Sequence, residues 1–150
     1  MNRKRCPKPF VLYQLVISLG TLRIVHCDGP HKGCAVDVTI ARDTIVPLLE
    51  PGERLLADKA YRADDQSNFL CPPPGISAEM FRTGREFAGR VHEGRQCVER
   101  VIERVQNFNV VNGSWRFSLE LHQKCFRAIV HLVNMSLEYM PLDKPQRQVK

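Results

Sequence analysis

No apolar run in the 150-residue chain is long enough to cross a bilayer, which argues against a transmembrane helix. No apolar stretch with a small-residue cleavage site follows the basic start Met1-Asn2-Arg3-Lys4-Arg5, so a secretory leader is not expected and an intracellular protein is. None of the six cysteines forms a Cys-x-x-Cys pair. Without a secretory context a disulfide framework is not expected either, and these thiols read as small buried hydrophobes. There is no internal repeat and no low-complexity segment, which excludes a solenoid. Tryptophan occurs once, at Trp115. Acid is absent from the whole of Met1 to Pro9.

What remains is a chain of single-domain size. Its net charge of +6 favours a polyanionic partner, of which nucleic acid is the commonest, or else a solvated basic surface. Arg3-Lys4-Arg5 has the character of a short nuclear import signal. His26, Cys27, His31 and Cys34 lie close together in sequence, but their spacing matches no familiar zinc module. His92, His122 and His131 are scattered over helical segments and are assigned no chemistry.

The patterning predicts a mixed α/β protein. Phe10 to Ser18 is short, β-branched and nearly continuous in apolarity, as in a strand buried on both faces. Thr21 to Cys27 alternates and completes an antiparallel hairpin, and Gly29, Pro30 and Gly33 are expected to end it. A helix is predicted over Val36 to Leu49, ended or distorted by Pro47. Short strands are predicted at Arg54 to Ala57 and Phe69 to Cys71, around a polar loop from Arg62 to Asn68. A helix over Ser77 to Val91, broken near Gly84 or Gly89, precedes a strongly periodic one over His92 to Phe108. In the latter, Val98, Val101, Ile102, Val105 and Phe108 share a face. The last helix runs from Ser118 to Tyr139 and stops before Pro141. Residues 1–9 thus form a basic segment, 10–140 the domain and 141–150 a tail.

Two carboxylates stand out in this layout. Asp58 closes the apolar run Leu55-Leu56-Ala57, at the carboxyl end of a predicted strand, where chemistry collects in open α/β sheets. Glu99 lies on the flank of the periodic helix, with Glu103 one turn along as the alternative. Arg82, Arg85, Arg90, Arg95, Arg100 and Arg104 precede or surround Glu99, either to contact phosphates or as ordinary surface arginines. Trp115 is expected to pack a sheet–helix junction in preference to stacking on a base.

Four blocks resemble the Harbinger-type DDE transposases and their domesticated relatives. They are Gly29-Pro30-His31-Lys32-Gly33 through Asp37 to Arg42, Leu55-Leu56-Ala57-Asp58-Lys59-Ala60-Tyr61, Val98-Glu99-Arg100-Val101-Ile102 with Phe108, and Ala128 to Asn134. The resemblance spans Phe10 to Leu137. It implies a ribonuclease H-like fold, a five-stranded mixed sheet flanked by helices. It also implies a divalent-metal nuclease acting on DNA phosphodiesters with two Mg²⁺ or Mn²⁺ ions. On the resemblance, Asp58 takes the role of the second acid and metal ligand, and Glu99 that of the third. Arg95, Arg100 and Arg104 become candidate DNA contacts.

The resemblance also shows a gap. The family's first acid lies on a first strand ahead of the hairpin, and only the acid-free Met1 to Pro9 stands there. The first strand is therefore expected to be missing. Asp28-Gly29-Pro30-His31 imitates the missing block, yet its position fits the end of the third strand better. Asp37 matches a family position but suits a helix N-cap equally well. Two acids could hold one Mg²⁺ weakly, with water filling the other positions. Little or no strand cleavage is expected from such a chain. The alternative is a non-enzymatic nucleic-acid or protein-interaction domain on the same scaffold.

Overall fold

The computed structural model describes residues 11–33, 35–58, 60–61, 68–71 and 84–142, by backbone alone at 84–88 and 90. The expectations for 1–9, the Arg62 loop, the helix start at Ser77, Arg82 and the tail after Leu142 fall outside the described residues, as do the side chains of Arg85 and Arg90. Strand β1 (Val11–Ile17) pairs antiparallel with β2 (Ile24–Lys32). Its alternation puts Tyr13, Leu15 and Ile17 on one face, in the main core. Gln14 and Val16 point to the other, toward helix α1 (Asp37–Thr44). The strand is thus covered on both sides, as its near-continuous apolarity requires.

The hairpin differs from expectation at both ends of β2. The turn is longer, closed by Ser18 N–H to Arg23 O at 2.9 Å and Leu22 N–H to Ser18 O at 2.7 Å. Leu22 there takes φ +59°. A left-handed leucine costs about 1–2 kcal/mol, and full burial of its side chain offsets this. At the other end β2 runs through Gly29 and Pro30 to Lys32. Gly29 has φ +129°, and a Cβ on it would sit 2.8 Å from Leu12 O and Tyr13 Cδ1. The two strands close on Gly29 where the register shifts between Leu12 and Gln14, and proline is tolerated in a strand with one free edge. Asp28 consequently lies inside β2 opposite Gln14, not at the strand's end.

Helix α1 is shorter than expected. It stops at Thr44, and Pro47 begins a separate 3-10 turn, Val46–Leu48. Val36 is the N-cap and makes no side-chain cap bond; Asp37 is the first helical residue, where its charge complements the helix dipole. Strands β3 (Leu55–Leu56) and β4 (Phe69–Leu70) pair in parallel. Helix α2 runs unbroken over Gly84–Gln106, where two helices are predicted. A helical glycine costs only about 1 kcal/mol, too little to break a helix held by a buried stripe. A short helix α3 (Asn109–Asn112) leads to α4 (Leu119–Tyr139), whose N-cap Ser118 side chain accepts from Leu121 N–H.

The main core joins Ile17, Leu22 and Ile24 to Val101 and Val105 of α2 and to Phe126, Val133 and Leu137 of α4. A smaller cluster packs α1, through Ala41 and Ile45, on Phe69, Val16 and Leu55. The architecture is mixed α/β, with two small sheets between α1 on one side and α2 with α4 on the other. Where the resemblance implies one mixed sheet lacking its first strand, the described residues form two separate two-stranded sheets, β1–β2 and β3–β4, with no strand bonded between them. No helix among the described residues is long and apolar enough to cross a membrane.

Two polar anchors tie α4 to the hairpin. Asn134 accepts from Ile24 N–H at 2.8 Å and donates to Ile24 O at 3.0 Å, satisfying both backbone groups of one β2 residue. Tyr13 stacks on Phe126 with centroids 3.8 Å apart, and its hydroxyl is bonded to His122 Nδ1 at 2.8 Å. Trp115 packs edge-on against His122 and donates to Ser118 O, at the base of α4.

Asn134→Ala strands two partly buried backbone groups and should lower unfolding free energy by about 2–3 kcal/mol in urea titration. Burial, reinforced by nearby Cys27 and opposed by Arg127, pushes the Tyr13 hydroxyl up to about 12 from its ordinary value of 10.0. The folded state therefore holds this proton where the unfolded chain loses it. The stabilisation is complete below the unfolded value and fades as pH rises toward 12. Tyr13→Phe should flatten that alkaline fall in stability, measured as melting temperature between the two values.

Candidate active site

Asp58 is placed by β3. Leu55 N–H and Ala57 N–H donate to Asn68 O and Leu70 O, which holds the strand against β4 up to the residue before the carboxylate. The chain then turns sharply, with Tyr61 N–H bonded to Asp58 O at 3.0 Å. Tyr61 is fixed from the opposite side. Gln14, nearly buried in β1, donates through Nε2 to the Tyr61 hydroxyl at 2.9 Å and to Asp37 O at 3.0 Å. Burial raises the Tyr61 pKa, and the negative charges of Asp37 and Asp58 add to this against the Gln14 hydrogen bond. Gln14 Oε1 is itself buried with no hydrogen-bond partner among the described residues.

Helix α2 brings the second carboxylate. Its buried stripe of Val91, Cys97, Val101 and Val105 sets its rotation on the core. Gly94 continues that stripe at the point where α2 meets β3. A Cβ there would lie 2.8 Å from Leu56 Cδ2 and 3.4 Å from Leu19 Cδ1. The missing side chain lets the helix lie against the strand two residues before Asp58.

The consequence is visible in the charges. Arg95 Nη2 lies 3.5 Å from Asp58 Oδ1 and 4.0 Å from Glu99 Oε1, so one guanidinium spans both acids. The carboxylates are 51% and 63% exposed, and ion pairs of this exposure contribute at most about 1 kcal/mol each. The arrangement therefore adds little to stability. What it creates is two negative groups from separate elements converging on one cation at the surface. Glu103 is exposed one turn farther along α2.

Arg100 is exposed beside Glu99. Arg104 donates to Ser136 Oγ at 3.1 Å and to Met140 O at 2.8 Å, tying α2 to the end of α4. In the His26 to Cys34 segment His31 Nε2 is bonded to Asp28 Oδ2 at 2.7 Å, and Cys34 lies outside the described residues. No group of three His, Cys, Asp or Glu placed to hold a metal occurs among the described residues.

Gly94, Gln14 and Tyr61 have positioning roles that the sequence reading did not assign. Gly94 could have been found as the smallest residue on the periodic face of α2. Gln14 carries its own signal as the one amide in an apolar strand, since a buried amide must find partners.

Gly94→Val should lower stability by about 1–3 kcal/mol in urea titration, because a branched side chain cannot fit against Leu56 and Leu19. Gly94→Ala should be close to neutral, since the Leu56 methyl can turn away and alanine gains about 1 kcal/mol of helix propensity.

Neither the curated proteins nor the solved structures compared contain a match to this chain. A family model described as DDE superfamily endonuclease does match it, over residues 2–134. That match takes in both sheets, helix α2 and most of α4, and with them Asp58, Arg95 and Glu99. The chain belongs to the DDE superfamily endonucleases.

Proposed function

We propose that the chain is a Harbinger-type, transposase-derived domain in which Asp58 and Glu99 are the second and third acids of the nuclease site. With only these two acids brought together among the described residues, cation and DNA binding would outlast cleavage. The observation that carries this reading is the convergence of Asp58, from the end of β3, and Glu99, from α2, on the single guanidinium of Arg95.

In a ribonuclease H-like arrangement β1 to β4 would be the second to fifth strands. The slot of the first strand would then fall between β1 and β3. The separation of β1–β2 from β3–β4 supports this assignment.

Two hard carboxylate donors suit one hydrated Mg²⁺ or Mn²⁺, which keeps several waters and accepts one or two carboxylates plus phosphate oxygens. They do not suit a pair of cations, which needs a further bridging oxygen, and no cleavage step follows from two acids alone. When bound, such a cation supplies Lewis-acid polarisation of a phosphodiester oxygen. Asp58 and Glu99 would hold it and Arg95 would give way to it, becoming available to phosphate. Arg100 would meet the same DNA backbone, and Arg104 would add positive charge while anchored to α4. The net charge of +6 suits that partner. Arg3-Lys4-Arg5 would direct the chain to the nucleus.

The same Arg95 bridge also favours a second reading, a non-enzymatic nucleic-acid or protein-interaction scaffold in which the arginine permanently neutralises both acids.

Calorimetric titration with Mn²⁺ and Mg²⁺ separates the two readings. A retained site gives binding heat, weakened about ten-fold or more by Asp58→Asn and strengthened by Arg95→Ala, which removes the competing cation. No binding by wild type or Arg95→Ala would leave the scaffold reading. Supercoiled DNA should stay intact in Mn²⁺, and nicking that is lost in Asp58→Ala would overturn the claim of impairment.

A further inference from the structure

Helix α4 has two apolar faces, and the core accounts for only one of them. His122, Phe126, Ile129, Val133 and Leu137 are buried. A second line, Leu121, Cys125, Ala128, Leu132, Met135 and Tyr139, recurs at alternating intervals of four and three residues. That is the period of a coiled-coil seam. Leu121, Leu132, Met135 and Tyr139 are 44%, 51%, 53% and 81% exposed. Apolar groups aligned at this period on a surface helix mark an interaction face and not scattered surface residues.

We propose that α4 pairs along this seam with α4 of a second copy of the chain, antiparallel about a two-fold axis. The side chains choose the direction. The spacing puts Leu121, Ala128 and Met135 at one seam position and Cys125, Leu132 and Tyr139 at the other. Antiparallel helices set each position against the other. Ala128 then meets Leu132 of the second copy, and Cys125 meets Met135, small against large in both layers. Leu121 meets Tyr139. A parallel pair would set Ala128 against Ala128 and Tyr139 against Tyr139, alternately too thin and too thick.

Charge selects the same register. Lys124 and Glu138 flank the seam on one side, equidistant in sequence from His131. In the antiparallel register fixed by the apolar layers, Lys124 of each copy lies beside Glu138 of the other, so the two-fold axis generates two opposite-charge contacts. Parallel helices offer neither. Within one chain Lys124 is 2.7 Å from Glu120 and Glu138 is 2.6 Å from Arg23. Both are exposed pairs that can extend into or yield to the intermolecular ones at small cost. The seam runs about 27 Å along α4 and is separate from Asp58 and Glu99.

Sedimentation equilibrium of the full chain tests the proposal. The wild type should be dimeric by about 10 µM. Leu132→Glu and Met135→Glu should each be monomeric at that concentration with unchanged helical circular dichroism. Lys124→Glu and Glu138→Lys should each weaken the dimer about five-fold, and the double reversal should recover most of that loss. A wild type that stays monomeric at about 100 µM overturns the pairing and assigns the stripe to a different occupant. A dimer indifferent to Leu132→Glu and Met135→Glu also overturns it. Single reversals that the double reversal fails to rescue overturn the antiparallel register.

Discussion

The contact between helix α2 and strand β3 at Gly94 is the constraint on which the arrangement of this domain depends. One side of α2 is committed to the core through Val101 and Val105, which are almost wholly inaccessible. That commitment fixes the helix's rotation, and rotation decides which residues face β3. Gly94 sets the distance, because a side chain larger than a methyl there would be forced against Leu56 and Leu19. With rotation and distance both fixed, Arg95 and Glu99 have one place to go, beside the carboxylate that ends β3. The candidate site is thus set by packing, through residues other than the two acids.

Its electrostatics follow from that placement. Two carboxylates brought together on a surface repel and need a counter-charge. Here Arg95 supplies it from the same helix as Glu99, four residues away. An i,i+4 arginine is a local solution that needs no third carboxylate and no bound ion. A divalent cation at the proposed site would have to compete with a guanidinium that already spans both acids. Exposure leaves the bridge weak: pairs this accessible can be displaced, whereas a buried bridge would have locked the acids. Tyr61 and Gln14 clamp the turn after Asp58, while Asp58 keeps half its surface in solvent.

Much of this was legible from sequence, and the failures have physical causes. The hairpin, the short strand before Asp58, the periodic helix carrying Glu99 and the Ser118 start of α4 all follow from hydrophobic period and capping chemistry. The breakers misled. Gly29 and Pro30 read as a strand end, but glycine's positive φ let the strand pass a register shift, which no local pattern reports. Gly89 read as a possible helix break, but a glycine's cost is small beside a stripe buried from Val91 to Val105. The pairing of Asp58 with Arg95 was not legible, since it joins residues from different elements through a contact made by Gly94. Asn134 was visible only as one letter of a resembling block. Its two bonds to Ile24 show what that position does physically, which is to close the backbone of an edge strand from a neighbouring helix.

The two-stranded sheets pose the sharper question of what keeps them in one domain. Strand hydrogen bonds cannot, because the described residues show none between β1 and β3. Helices do it from either side. On one side α1 covers both through Ala41 and Ile45, which touch Val16 of β1, Leu55 of β3 and Phe69 of β4 in a single cluster. On the other, Gly94 of α2 sits against Leu19 beyond β1 and Leu56 of β3 at once. Gln14 adds a polar stitch from β1 to Asp37 and Tyr61. Helical cover of this kind can align two sheet fragments without a ladder between them, because burial is not directional and backbone pairing is. Every such contact also falls on an element that positions Asp58 or Glu99. The packing that holds the sheets together is therefore the packing that holds the two acids in reach of each other, and a change that loosens one should loosen both.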